Sequence, residues 1–393
     1  MKYDFESIPD RSGTGSTKWD NHKVTDPAYV PLSTADMEFP TAPPIRQALS
    51  DLAENRILGY AGPTPAYFEA VQGWMKRRHN FDAAKEWIIT TPGVVDALGI
   101  LVEAATKPGE GVIILTPAYY PFELAVMAKA RKVVHSTLID NNGHYEIDYA
   151  DLEAKARKRN VTALMFCNPH NPTGRVFTRE ELTELSQFII KHDLICVCDQ
   201  AFEDTAFPGH EMVTMASLPG MWERTVTVCS CSKGMALSGY RVGYIFADDV
   251  IMDTMYATAV NIQGAANTMV QMAMIPAYED TSFIQDYVAE QDFRRRYAYE
   301  KFNAVPGVSM PLMESGFYGW VNVSRLGDSS EITAYLAEEA KTLVNDGKFY
   351  GDQGAGHLRI IYGVFADRQK SLDGIDRLCA ALAKRAAQLG ITE

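Results

Sequence analysis

The sequence predicts an α/β protein with a large domain built on a mainly parallel sheet and a smaller α+β domain. Between about residue 87 and residue 247, short apolar segments alternate with helical segments, which is typical of a parallel sheet covered by helices on both faces. After about residue 250 the chain becomes mainly helical, and strand-like and helical segments then recur towards the C-terminus. A length of 393 residues is sufficient for two domains.

Seven segments have the apolar, partly β-branched character of buried strands. They cover residues 87–90, 112–115, 133–138, 163–167, 194–198, the run that begins at Thr225, and 241–247. The helices that follow the first four strands are predicted to end near residues 105, 131, 158 and 191. Thr178 and Glu181 have the spacing of a capping box, which predicts the start of the last of these helices.

The segments on either side of this alternation predict the second domain. Residues 1–45 are rich in turn formers and are expected to wrap over another domain, with helices following over 45–58 and 67–79. Towards the C-terminus we predict a strand over 319–323, a helix from about 330 to 345, a strand over 358–362 and a final helix. The large domain is therefore assigned to residues 46–284, and the small domain to residues 1–45 together with 285–393.

The composition argues against several classes of function. A net charge of −13 makes nucleic acid and anionic membranes poor partners. The first residues contain acids and no apolar core of a signal peptide, and no apolar run reaches the roughly 18 residues of a membrane span. The six cysteines fit no zinc-ligand spacing, so we expect buried thiols in a reducing cytosol, no metal and a cytoplasmic protein.

Polar side chains follow three of the predicted strands. Asn168 and Asn171 come after the strand 163–167, Asp199 follows the strand 194–198, and Lys233 follows the strand that begins at Thr225. In sheets of this type, ligands bind at the carboxyl ends of the strands. These side chains are therefore predicted to meet in one site.

The residues around Lys233 suggest the chemistry of that site. A lysine buried at a strand end has a lowered pKa and becomes a usable amine nucleophile, whereas the alternative is a surface lysine at an ordinary strand end. Ser230, Ser232 and Arg241 are potential phosphate ligands, and the predicted helix start after Gly93 offers free backbone N–H groups to an anion.

One cofactor could use all of these groups. A buried acid such as Asp199 would keep a heteroaromatic nitrogen protonated, a lysine amine would form an imine with an aldehyde, and the hydroxyls and the arginine would hold a phosphate. Pyridoxal 5′-phosphate has all three features. The sequence therefore predicts a pyridoxal-phosphate site.

These residues also give the sequence a family resemblance. The run Asn168-Pro-His-Asn-Pro-Thr-Gly174, then Asp199, then Ser230-Cys-Ser-Lys233 with Arg241 eight residues further on, resembles the fold-type I pyridoxal-phosphate enzymes of aminotransferase class I/II. The resemblance covers essentially the whole chain. Residues 10–14, 16–20 and 35–40 look most like the MalY/PatB branch, the cystathionine β-lyase-like carbon–sulfur lyases.

The resemblance implies two candidate catalytic residues and their partners. Lys233 would be the Schiff-base lysine and would move the proton on the substrate Cα, and Tyr119 would stack on the cofactor ring. Asp199 would pair with the pyridine nitrogen. Asn171 would contact the O3′ of the ring and would assist Arg359, which would bind the substrate α-carboxylate.

The resemblance also implies how the phosphate is held and that the enzyme is a homodimer with shared sites. The implied phosphate-binding residues are Val94, Val95, Ser230, Ser232 and Arg241, together with Tyr60 of the partner subunit. Simpler interpretations are that Tyr119 and Tyr60 are ordinary loop aromatics and that Ser232 only caps its turn.

Phe202 departs from the family pattern. Relatives usually carry tyrosine or histidine three residues after the acid, where a polar atom touches the O3′ of the cofactor. A phenylalanine would leave that oxygen more dependent on Asn171, and we expect the pKa of the bound cofactor to differ from the family norm.

Three classes of function remain open. The first is a carbon–sulfur β-lyase acting on L-cystathionine or related L-cysteine S-conjugates, and the second is an aminotransferase acting on an L-amino acid and a 2-oxo acid. The third is a non-catalytic binding or regulatory protein with the same fold. The presence of Lys233, Asp199, Asn171 and Arg359 argues against the third, because a site without activity has no need of a costly buried lysine.

Overall fold

The computed structural model describes residues 3–5, 10–20, 26–55, 57, 59–256, 267–363 and 367–393. Its strands in chain order are β1 (Val30–Pro31), β2 (Ile88–Thr91), β3 (Gly111–Thr116), β4 (Lys132–Thr137), β5 (Ile139–Asn141), β6 (His144–Glu146), β7 (Val161–Cys167), β8 (Ile195–Asp199), β9 (Thr225–Cys229), β10 (Gly243–Phe246), β11 (Tyr318–Asn322), β12 (Thr342–Leu343), β13 (Asn345–Asp346) and β14 (His357–Ile361). Its α-helices include Pro43–Asn55, Pro65–His79, Val94–Ala105, Pro121–Ala128, Tyr149–Ala156, Arg179–Lys191, Asp249–Met255, Thr268–Glu279, Ser282–Asn303, Ser329–Glu339 and Arg368–Gln388.

The large sheet has seven strands in the order β2–β10–β9–β8–β7–β3–β4. Six strands are parallel to one another, and β10 runs antiparallel to both of its neighbours. The predicted α/β class with a mainly parallel seven-stranded sheet is confirmed.

Burial on both faces explains why these strands are apolar throughout. Every residue of β3 is buried. Because successive side chains point to opposite faces, Ile113 and Leu115 join one apolar cluster, whereas Val112 and Ile114 join a second cluster with the helices Val94–Ala105 and Pro121–Ala128. The six cysteines are likewise buried.

The helix Arg179–Lys191 begins as its sequence predicts. Thr178 is the N-cap, its hydroxyl accepts from the Glu181 backbone N–H at 3.2 Å, and the Glu181 carboxylate accepts from the Thr178 N–H at 2.7 Å. This capping box satisfies two N–H groups that would otherwise lack partners.

The N-terminal segment contacts the C-terminal part of the chain. β1 pairs in parallel with β12, and β11, β14 and β13 form a three-stranded antiparallel sheet. The domain boundaries at residues 45 and 285 stay a prediction. Within the described residues, no helix is long and apolar enough to cross a membrane.

Several predicted boundaries differ from the structure, and the helix predicted to end near residue 131 ends at Ala128. The helix predicted to reach residue 345 ends at Glu339, because Lys341 adopts a left-handed backbone (φ 51°) and the chain then pairs with β1 and β14. The strand predicted from Arg241 starts at Gly243, since Arg241 is also left-handed (φ 54°). The first helix ends at Asn55, and Leu58, its predicted last residue, lies outside the described residues.

Candidate active site

The carboxyl ends of β7, β8 and β9 lie side by side and open into one cavity of about 370 Å³. The cavity brings together ten of the predicted site residues: Val94, Val95, Tyr119, Asn171, Asp199, Ser230, Ser232, Lys233, Arg241 and Arg359. Asn168 is not among the lining residues, because its side chain is buried and bonded to the backbone of Phe177 and Val213. Tyr60 is also not among the residues that line this cavity.

Lys233 places its amine inside the cavity. Its Nζ donates a hydrogen bond to the Ala35 carbonyl oxygen at 2.8 Å. Burial, aided by the nearby positive charges of Arg359 and Arg241, lowers the pKa of this lysine to about 8 against the opposing effects of Asp36 and Asp199. The amine is therefore far easier to deprotonate near neutral pH than an exposed lysine.

Asp199 is a buried acid at the end of β8. Burial raises the pKa of its carboxyl to about 6, although the Ala201 N–H donates to Oδ1 at 2.8 Å and favours the charged form. Among the described side chains, Asp199 has no salt-bridge partner within 4.0 Å. A protonated ring nitrogen would be the positively charged partner that the Asp199 carboxylate lacks.

The opposite end of the cavity has the groups of an anion site. The helix Val94–Ala105 begins after Gly93, so its first backbone N–H groups are available to a ligand. Gly93 has φ 112°, and a Cβ there would lie 2.5 Å from Nη2 of Arg241. Only glycine therefore lets the guanidinium approach this turn so closely.

The two serines lie beside this turn. The Ser230 Oγ lies 2.7 Å from the Ser232 Oγ and 2.6 Å from the Val242 carbonyl oxygen, and it accepts from the Ser232 N–H at 3.0 Å. Both serines are among the residues that line the cavity.

Arg359 enters the cavity from β14. Its Nη2 donates to Asn345 Oδ1 at 2.9 Å and to the Ser33 carbonyl oxygen at 3.3 Å, and its Nη1 donates to Asn171 Oδ1 at 3.3 Å. Its buried Nε has no hydrogen-bond partner. An arginine that is positioned by neutral acceptors and keeps a free donor suits an anionic ligand such as a carboxylate.

Phe202 also lines the cavity. Its ring is buried and packs against Phe317 and Tyr318, with ring centroids 5.6 and 5.3 Å apart. The hydroxyl of Tyr318 donates to the His170 carbonyl oxygen at 3.1 Å. Phe202 therefore brings an apolar edge to the position where the resemblance implies a polar one.

Tyr60 is fully exposed in the single chain. Ile57 is 97% exposed, and a Cβ added at Gly59 or Gly62 would meet no atom within 4 Å. Ile57 and residues 59–62 are thus exposed, and within the described residues Tyr60 makes no contact with the cavity of its own chain.

Several lining residues were not identified from the sequence: Thr17, Ser33, Thr34, Ala35, Tyr120, Cys167, Ala201, Ser238, Asn345, Phe349 and Tyr350. Most come from the N-terminal segment and the loop after β13. Asn345 reaches Arg359 because β13 pairs with β14, and no local pattern in the sequence predicts that pairing.

Comparisons with known proteins agree with this geometry. The family model of class I and II aminotransferases matches residues 27–375. Cystathionine β-lyase PatB of Bacillus subtilis (strain 168) is 31% identical over 389 residues, covering 96% of this chain and 100% of that protein. The crystal structure of cystalysin from Treponema denticola, which contains a pyridoxal 5′-phosphate cofactor, has a TM-score of 0.92 and 32% identity, covering 98% of this chain and 100% of that chain. An aspartate aminotransferase of Pyrococcus abyssi (strain GE5 / Orsay) is 26% identical over 358 residues, covering 89% and 91%. The chain therefore belongs to the class I and II aminotransferase family.

Proposed function

We propose that this protein is a pyridoxal-phosphate-dependent carbon–sulfur β-lyase that acts on L-cystathionine or related L-cysteine S-conjugates. The observation that carries the proposal is the convergence of the Lys233 amine, the Asp199 carboxyl and the Arg359 guanidinium in one cavity. The similarity to a cystathionine β-lyase and to cystalysin supports the choice of reaction.

The residues present fit the cofactor at both of its ends. Asp199 would hold the pyridine nitrogen, and Asn171 would face the O3′ oxygen. The turn at Gly93, Ser230 and Arg241 would hold the phosphate through N–H, hydroxyl and guanidinium donors, and Val94, Val95 and Ser232 would complete that end of the site. Tyr119 would cover one face of the ring. When bound, pyridoxal phosphate supplies an electron sink for the charge left on a substrate Cα after its proton is removed.

Arg359 and Lys233 have separate roles in the proposed reaction. Arg359 binds the α-carboxylate and thereby directs the Cα–H bond towards Lys233. Lys233, with its pKa of about 8, takes up the proton from Cα. The Cβ–S bond breaks with its electron pair on sulfur, and overall the conjugate and one water give a thiol, pyruvate and ammonium.

An aminotransferase is the second candidate, since an aspartate aminotransferase is also among the relatives. Both reactions use the same residues up to removal of the Cα proton. The two candidate reactions can be distinguished by incubating the protein with L-cystathionine alone, or with an amino donor plus 2-oxoglutarate. Release of thiol and pyruvate without an oxo acid supports the lyase, whereas turnover that requires the oxo acid supports the aminotransferase.

Lys233→Ala tests the role of Lys233 in both candidate reactions. The variant should lose the visible absorbance of the lysine-bound cofactor together with activity. Retained activity in this variant would refute the assignment, and a wild-type protein that binds no cofactor would refute both enzymatic functions.

We further propose a cytoplasmic homodimer in which Tyr60 of each subunit completes the phosphate site of the other. The exposure of Ile57 and Tyr60 supports this, because it leaves both side chains available to a second subunit. Tyr60→Ala and Lys233→Ala subunits, each inactive alone, should regain activity when they are mixed, since one site of the hybrid has both residues. Failure of two folded dimeric variants to complement each other would contradict a shared site.

A further inference from the structure

We infer that Arg175 is a positioning residue that holds the loop of residues 168–174, here called the Asn171 loop, and thereby sets where the Asn171 side chain lies in the cavity. The inference rests on the proposed function, because it uses the role assigned there to Asn171 beside the O3′ oxygen of the cofactor. Arg175 is not among the residues that line the cavity. Its effect on a bound cofactor therefore passes through Asn171 and not through direct contact.

The Asn171 amide has two different neighbours in the proposed site. Its Oδ1 accepts a hydrogen bond from Nη1 of Arg359 at 3.3 Å. Because that contact uses the oxygen of the amide, the Nδ2 group is left to donate to a ligand in the cavity. The O3′ oxygen is the acceptor that the proposed function places there. The asparagine side chain is short, so the position of its backbone decides whether one amide reaches both Arg359 and the cofactor.

Hydrogen bonds within the segment give the Asn171 loop a closed shape. The His170 N–H donates to the Arg175 carbonyl oxygen at 2.7 Å, and the Gly174 N–H donates to the His170 carbonyl oxygen at 2.7 Å. These bonds fix the shape of the loop, but they do not place it relative to Arg359, which is 188 residues from Asn171 in the sequence. Contacts with distant segments must supply that placement.

The side chain of Arg175 makes such contacts with all three of its nitrogens. It is buried, and its Nη2 donates to both carboxylate oxygens of Glu181 at 2.8 Å. Its Nη1 donates to the Tyr145 carbonyl oxygen at 2.5 Å and lies 2.9 Å from Nε2 of His144. Its Nε donates to Oε2 of Glu314 at 3.1 Å. One guanidinium thus joins the β5–β6 hairpin, the helix that contains Glu181 and the segment before β11.

The segment before β11 also holds the Asn171 loop directly. Oε2 of Glu314 accepts from the Val176 N–H at 2.7 Å, and the Glu314 N–H donates to the Gly174 carbonyl oxygen at 3.1 Å. The Tyr318 hydroxyl donates to the His170 carbonyl oxygen at 3.1 Å. Glu314 therefore binds the Arg175 side chain and the backbone on either side of it.

Strand pairing connects these contacts to the substrate end of the cavity. Tyr318 is the first residue of β11, and β11 pairs with β14, the strand that carries Arg359. The same strand pair thus holds the Asn171 loop and the arginine that the Asn171 amide meets. Without Arg175, the partly buried carboxylates of Glu181 and Glu314 would lose the arginine that they share. Unpaired carboxylates in such a place favour a rearrangement that brings in water, and the loop would shift with them.

The alternative is that Arg175 only stabilises the fold. That role would lower the free energy of unfolding and would leave the absorbance of a folded, cofactor-loaded protein unchanged. A positioning role would also weaken the hydrogen bond from Asn171 to the O3′ oxygen. Because a hydrogen bond donated to that oxygen favours its ionised form, a weaker bond raises the pKa read from the visible absorbance of the bound cofactor.

Absorbance titrations of the holoenzyme against pH test the inference. Arg175→Met should raise the pKa of the bound cofactor by at least about 0.5, and Asn171→Ala should shift it in the same direction. The double variant should show no further rise beyond that of Asn171→Ala, since Arg175 acts through Asn171. Arg175→Lys, which keeps a cation for the two carboxylates, should lie between the wild type and Arg175→Met. Equal pKa values in the wild type and Arg175→Met, or additive shifts in the double variant, would overturn the inference.

Two further variants separate the effect from a folding defect. Glu314→Ala removes the carboxylate that binds both Arg175 and the loop backbone, while Glu181 still pairs with the arginine, so it should also raise the pKa of the bound cofactor. If Arg175→Met does not fold, an unchanged pKa in folded Glu314→Ala overturns the inference. Arg179→Met removes an exposed ion pair on the neighbouring helix and should leave the pKa unchanged. A rise as large in Arg179→Met as in Arg175→Met would contradict a specific role of Arg175.

The titration requires bound cofactor but no turnover, so the two proposals fail separately. A cofactor-loaded protein that releases no thiol refutes the lyase. Active cleavage combined with an unchanged pKa in Arg175→Met refutes only the positioning role of Arg175.

Discussion

Replacing Lys233 with methionine in the cofactor-free protein is expected to stabilise the fold at neutral pH. The reason is electrostatic. The pKa of Lys233 falls from the ordinary lysine value of 10.5 to about 8, because burial and two nearby arginines disfavour its charged form. Below pH 8 the folded protein must keep this ammonium charged inside the cavity, which opposes folding.

The size of the effect follows from that pKa. The difference between 10.5 and about 8 corresponds to at most about 3 kcal/mol of destabilisation at pH 7. Methionine also removes the hydrogen bond to the Ala35 carbonyl oxygen, a loss of about 1 kcal/mol. The variant should therefore be more stable than the wild type by about 1–2 kcal/mol at pH 7.

The pH dependence gives the decisive readout. Between pH 8 and 10.5 the unfolded chain binds more protons than the folded one, so wild-type stability rises with pH until the ammonium no longer opposes folding. Urea unfolding of both cofactor-free proteins at pH 7 and pH 10.5 should show the advantage of Lys233→Met only at pH 7. A variant that is less stable than the wild type by the same amount at both values would refute the reasoning.

Three further predictions concern the same region. Gly93→Ala should lower the affinity for pyridoxal phosphate at least about tenfold in an absorbance titration. The reason is that the new Cβ would lie 2.5 Å from the Arg241 guanidinium, at a backbone φ of 112°. Unchanged affinity would contradict the close approach of Arg241 to Gly93. Burial and the nearby Asp204 raise the pKa of Glu203 well above its usual range, so ionisation of Glu203 opposes folding as the pH rises. The stability of Glu203→Gln relative to the wild type should therefore increase from pH 4 to pH 8. A stability difference that stays constant over this range would exclude this cause. Phe202→Tyr should shift the pKa read from the visible absorbance of the bound cofactor, and identical titrations of the two proteins would rule out a role for the missing hydroxyl.

Local signals in the sequence were sufficient to predict most of the strands and helices of the large domain. Strands buried on both faces must be apolar along their whole length, and the capping box of Thr178 and Glu181 is complete within four residues, so these features are readable from short segments. Parallel strands also align their carboxyl ends, which is why Asn171, Asp199 and Lys233 could be assigned to one site before any distance was known.

Other features depend on contacts between distant parts of the chain. Lys233 and Ala35 are 198 residues apart, and Arg359 and Asn171 are 188 apart, so their hydrogen bonds cannot be read from local patterns. The helix that ends at Glu339 stops early for the same reason, since the residues after it pair with strands far away in the sequence. By itself, the sequence determined the type of sheet and which polar side chains follow its strands into one cavity. Only the tertiary structure decided which residues of the N-terminal segment and of the chain after β12 line the cavity, because long-range strand pairing brings them together.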